Sequence, residues 1–122
     1  MFAVQDHKTL LMGSVLTRVD RFEDIDFIWE RIDSLTLHRN GEFDWHNQTR
    51  IAEAGQPAQL NAEHLQGDWH VIGTGNGPRY LQLGTDEGDM FSFMISRDGP
   101  DGYRLNKKQW TFQKTGVLAL PA

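Results

Sequence analysis

Apolar and polar residues alternate through most of the chain, and short polar stretches carrying glycine interrupt the alternation. Leu35-Thr-Leu37, a turn through Asn40-Gly41, and Phe43-Asp-Trp45 form one such unit. Leu81-Gln-Leu83, a turn through Asp86-Glu-Gly88, and Phe91-Ser-Phe93 form a second. Period two marks a strand with one buried face, and a polar glycine turn between two such runs marks a hairpin. Residues sharing a face must pair directly across the hairpin. Pairing Leu37 with Phe43 and Leu35 with Trp45 leaves the loop Arg39-Asn40-Gly41. Pairing Leu83 with Phe91 and Leu81 with Phe93 leaves Asp86-Glu87-Gly88. In both, glycine falls third, where a three-residue hairpin loop needs a left-handed residue. A two-residue Asn40-Gly41 turn would put Phe43 and Trp45 on the face opposite Leu35 and Leu37, and is rejected.

The same phase extends outwards. A strand opens at Gly67-Asp-Trp69-His-Val71, and the turn Thr74-Gly-Asn-Gly-Pro78 brings Val71 opposite Leu81 and Trp69 opposite Leu83. Tyr103 to Leu105 and Gln109 to Lys114 read as two more short strands, and Leu11 to Val19 as an early one. Two stretches break the rhythm. From Asp20 to Ile32 the apolar residues Phe22, Ile25, Ile28, Trp29 and Ile32 fall at three- and four-residue spacing, and Asp20 with Glu23 resembles a capping box. This predicts a short helix; the competing reading is a strand, because Ile25, Phe27 and Trp29 also alternate. Glu53 to Gln66 reads as a polar connection with room for one helical turn.

The pattern therefore predicts an all-β fold with one short helix: seven or eight antiparallel strands whose aromatic faces must be buried by closing into a barrel or by a second sheet. At 122 residues the chain fits a single domain over residues 1–122. Net charge is −5, and the twelve Lys and Arg are scattered, which argues against nucleic acid and anionic membrane as partners. No apolar run is long enough to span a membrane as a helix. The lack of cysteine excludes disulfides and thiolate chemistry. With an N-terminus unlike a secretory signal, it leads to the expectation of a cytoplasmic protein.

The Leu-x-Leu hairpins, with Gly67-Asp68-Trp69 opening a strand between them, resemble the lipocalin-like (calycin) small β-barrels from about Gly13 to Lys114. Typical lipocalins carry Gly-x-Trp in the first strand. Here the early Gly13-Ser14-Val15 lacks the tryptophan, and the mid-chain position is similar to that in short bacterial lipocalin-like domains. The resemblance implies an up-and-down barrel with an apolar cavity open at one end. It implies neither a ligand nor an activity.

Candidate chemistry is sparse. His7, His38, His46, His64 and His70 show no His-x-His or His-x-x-x-His spacing, and are read as surface residues with no metal bound. The carboxylates of Asp24 and Asp26, Glu42 and Asp44, and Asp86, Glu87 and Asp89 are read as solubilising. Gly73-Thr-Gly75-Asn-Gly77 precedes Pro78 and a strand, so it is a turn rather than a phosphate loop. Asn47-Gln-Thr49 matches a glycosylation sequon by spacing alone. The aromatic residues are the most informative set. Phe43, Trp45, Trp69, Phe91, Phe93 and Trp110 share one expected interior and, with Tyr80 at the rim, are the expected ligand-binding residues. Three functions follow as expectations. The first is a protein holding an apolar or aromatic small molecule in the barrel, with no cofactor, as a monomer or sheet-edge homodimer. The second is a cyclase- or isomerase-like enzyme using the same cavity, assisted by His46, His70, Tyr80 or a buried carboxylate. The third is a protein-interaction domain.

Overall fold

The computed structural model describes residues 2–114. A short helix α1 (Val4–Leu11) precedes eight strands: β1 (Ser14–Asp24), β2 (Phe27–Leu37), β3 (Glu42–Glu53), β4 (Gln59–Ile72), β5 (Arg79–Thr85), β6 (Met90–Arg97), β7 (Gly102–Leu105) and β8 (Lys108–Lys114). Each strand pairs antiparallel with the next, and β8 returns to β1 through Ser14↔Lys114 to Thr17↔Thr111, closing an up-and-down barrel.

The registers read from the alternation are those found: Leu37↔Phe43 and Leu35↔Trp45, Leu83↔Phe91 and Leu81↔Phe93, Val71↔Leu81 and Trp69↔Leu83. Gly41 and Gly88 hold φ of +92° and +99°, the left-handed geometry their loops require. The inward residues Leu16, Leu35, Leu37, Phe43, Trp69, Leu81, Leu83, Tyr103 and Phe112 fill the barrel around Leu11 of α1.

Three expectations are corrected. No helix lies at Asp20–Ile32: these residues form the β1–β2 hairpin, with Asp24 opposite Phe27 and the turn at Ile25-Asp26. That turn contains no glycine and no left-handed residue, so it carries none of the usual hairpin chemistry. The helix is instead at the N-terminus, where the Asp6 carboxylate accepts a hydrogen bond from Ala3 N (2.9 Å). Leu11, expected to begin the first strand, ends this helix and enters the core. The polar connection Glu53–Gln66 is likewise mostly strand, since β4 starts at Gln59 and pairs with β3 from there. Its first half is exposed on both faces, so no hydrophobic alternation announces it.

Strand length then shapes the molecule. β1 to β4 run 11–14 residues, whereas β5 to β8 run 4–8. β4 pairs with β5 only from Gly67 onwards, and β1 pairs with β8 only as far as Thr17. The long strands therefore project past the short ones as a curved lip at the end away from α1. Gly67 sits where β4 passes from lip to barrel wall. A Cβ there would stand 1.9 Å from the Gly84 carbonyl oxygen, so the glycine of the Gly-x-Trp unit permits the close approach of β4 to β5.

Candidate functional site

The open end contains a cavity of about 300 Å³ between the lip and the short strands. Its wall is built by period-two geometry. Arg18 and Asp20 on β1, Trp29, Arg31 and Asp33 on β2, and Trp45 on β3 all project to the inner face, opposite Phe93, Leu105, Lys108 and Trp110 from β6 to β8. The β1–β2 register places Arg18 opposite Asp33 and Asp20 opposite Arg31, so charges of opposite sign alternate both along and across the strands.

Each guanidinium is held by the carboxylate two residues on. Arg18 donates to Asp20 through Nε (2.9 Å) and Nη2 (2.5 Å), and through Nη1 to the Gln109 carbonyl (2.8 Å). Arg31 donates to Asp33 through Nε (3.0 Å) and Nη2 (3.1 Å). Asp33, only 4% exposed, also accepts from the Trp45 indole Nε1 (2.9 Å). The hydrogen bonds from Arg18 hold the Asp20 carboxyl below its ordinary pKa, and those to Asp33 raise that of Arg31. Both shifts favour the charged forms of Asp20 and Arg31. Trp45 packs edge-on against Phe91 (5.3 Å between ring centroids) and Phe93 (5.9 Å), which orients the aromatic wall.

The expected ligand-binding residues divide between places. Trp45, Phe93 and Trp110 line this cavity, and Phe91 supports it through Trp45. Phe43 is buried in the core. Trp69 lies towards the α1 end, donating its indole N–H to the His38 carbonyl (2.9 Å) beside a depression lined by Lys8, Met12 and Arg39. Tyr80 pairs with Ile72 and Met94 on the face opposite Leu81, and so projects outwards. His46 and His70 also alternate with inward tryptophans and face out. None of the three side chains named for an enzymatic reading lines the cavity, but the buried carboxylate that reading also allowed has a counterpart there in Asp33. The reading as a helix hid Arg18, Asp20, Trp29, Arg31 and Asp33 as a set. The signal that could have found them is Arg-x-Asp at 18–20 and again at 31–33, which at period two puts each pair on one face.

The histidines are not all on the surface. His7 is 3% exposed at the α1 end, where its Nδ1 shares a hydrogen bond with the Tyr103 hydroxyl (2.9 Å). Burial, then the nearby Arg79, lowers its pKa, and burial pushes the Tyr103 phenol up to about 12. On the outer face of β3 and β4, Asp44 accepts from His38 Nε2 (2.6 Å) and from His64 Nε2 (2.7 Å). His64 pairs with His46 across the strands and stacks on it, with centroids 4.0 Å apart.

No helix of the described residues is long and apolar enough to cross a membrane. Comparison with models of protein families, with curated proteins and with solved structures found no match to this chain, so the assignment of its site rests on its own geometry.

Proposed function

We propose that the protein binds a small, flat aromatic molecule with a polar or anionic edge in the open mouth of the barrel. The observation that carries this reading is the composition of the cavity wall. Three tryptophans and Phe93 meet two partly exposed guanidiniums and the Lys108 ammonium in one concave site. Ligand sites combine mostly apolar walls with a few placed polar groups in this way. The rings offer stacking surface. Arg31 commits two N–H groups to Asp33 and retains others of its five for a ligand oxygen. Each arginine is preorganised by its aspartate, so little side-chain freedom is lost on binding. The resemblance to lipocalin-like barrels supports the same reading, since that family implies a cavity open at one end.

Anilinonaphthalene sulfonate, an aromatic anion, provides the test. Titration into the protein should quench tryptophan emission saturably. Trp110→Ala, with its fold verified by circular dichroism, should abolish the effect. Trp69→Ala, at the other end, should leave it intact. Equal quenching in Trp110→Ala and the parent, or no saturable quenching in the parent, would overturn the proposal.

A further inference from the structure

A second site lies on the outside of the barrel, across β3 and β4. Asp44 and His46 occupy one face of β3 two residues apart, and His64 stands directly opposite His46 on β4. The donor atoms of these three side chains lie within 4.8 Å of one another. We propose that Asp44, His46 and His64 bind a divalent transition-metal ion of the zinc, nickel or copper class.

The donor set suits that class. The two imidazole nitrogens are borderline ligands preferred by zinc, copper and nickel over magnesium or calcium, and the carboxylate oxygen is a harder donor that zinc also accepts. The Asp44–His64 contact is the start of a chelate. Its 2.7 Å O···N distance is spanned by a proton now; when that proton is released to solvent and the two atoms part to roughly 3.3 Å, tetrahedral bonds of about 2.0–2.2 Å to a common ion connect them. His46 joins by rotation about its Cβ–Cγ bond, a broad torsion in histidine, and its ring is exposed. The stacked rings lie 12° from parallel, so this rotation is what brings the lone pairs of both onto one point. The second Asp44 oxygen continues to accept from His38 Nε2 at 2.6 Å, an outer partner that orients the carboxylate.

Three protein ligands leave a tetrahedral ion one open position. Beside the histidines, a shallow depression of about 400 Å³ edged by Ile32, Ser34 and Ala62 has room for a water or a small anion there. Cross-strand register supplies this arrangement, which is why no spacing along the chain signals it.

The experiment uses untagged, chelator-treated full-length protein and isothermal titration with Zn²⁺, Ni²⁺, Cu²⁺ and Mg²⁺ separately. One equivalent of at least one transition ion should bind, and Mg²⁺ should not. Because loss of an outer partner alone costs about 10–100-fold, His38→Gln should weaken binding by roughly tenfold, and His46→Ala and His64→Ala by at least as much. His70→Ala, on the same outer surface but outside the cluster, should bind like the parent. All four side chains are at least partly exposed, and circular dichroism confirms that each variant folds. Absence of stoichiometric binding by all three transition ions, or binding unchanged in both His46→Ala and His64→Ala, would overturn the proposal.

Discussion

Replacing Asp33 tests the idea that the mouth of the barrel is held open by a built polar network. Asp33 is buried on β2 and accepts two hydrogen bonds from Arg31 and one from Trp45. Asp33→Ala leaves the Trp45 indole N–H, on a residue only 8% exposed, without its acceptor, and an unsatisfied buried donor costs about 1–3 kcal/mol. The guanidinium loses its counterion, but the Arg31 side chain is about one-third exposed, so water recovers much of that loss and about 1 kcal/mol remains. The expected total is about 2–4 kcal/mol of folding stability. Asp33→Asn keeps an acceptor for Trp45 and loses the charge, so about 1–2 kcal/mol is expected. Urea denaturation followed by tryptophan emission and by circular dichroism measures both differences. The two probes should agree if unfolding is two-state. A destabilisation by Asp33→Ala below about 0.5 kcal/mol, the range of ordinary surface substitutions, would refute the network. Asp33→Ala should also weaken probe binding, because Arg31 and Trp45 would no longer be held in place.

Two further outcomes follow from the other end and from the wall. Gly67→Ala forces a Cβ against the Gly84 carbonyl and should cost about 3 kcal/mol or prevent folding, measured by thermal or urea denaturation; a change under about 1 kcal/mol would show that β4 can shift without penalty. The lowered pKa of His7 means that the unfolded chain takes up a proton more readily than the folded one, so its contribution to stability is complete above the ordinary histidine value and is lost as pH falls through and below it. Stability measured by urea titration across this acidic range should fall less steeply in His7→Gln than in the parent, and identical slopes would remove His7 from the linkage.

The centre of the fold is legible in the chain because local chemistry and burial agree there. From Leu35 to Trp45 and from Trp69 to Phe93, one face is dry and the other wet, so alternation states which residues face inwards, and glycine at the third loop position states which residues pair. The lip was not legible for the opposite reason. Ile25-Asp26 turns without glycine, and Gln59 to His64 is exposed on both faces, so neither shows the pattern that a half-buried strand requires. His7 has the look of a surface residue in the sequence because nothing near it indicates that α1 closes the barrel end and that Tyr103, far along the chain, meets it.

The alternation along the chain establishes the phase of the middle strands: the inward set of leucines and aromatics, the hairpin registers and the antiparallel class. Which aromatics border the open cavity follows only from the assembled barrel. Alternation assigns a side chain to a face, whereas a cavity depends on how far each strand runs past its neighbours. Unequal strand lengths place Trp29, Trp45 and Trp110 in an open mouth with Arg18 and Arg31, and Phe43 in closed packing. The same physics produced the outer cluster, where pairing across strands sets His46 against His64 although they lie eighteen positions apart in the chain.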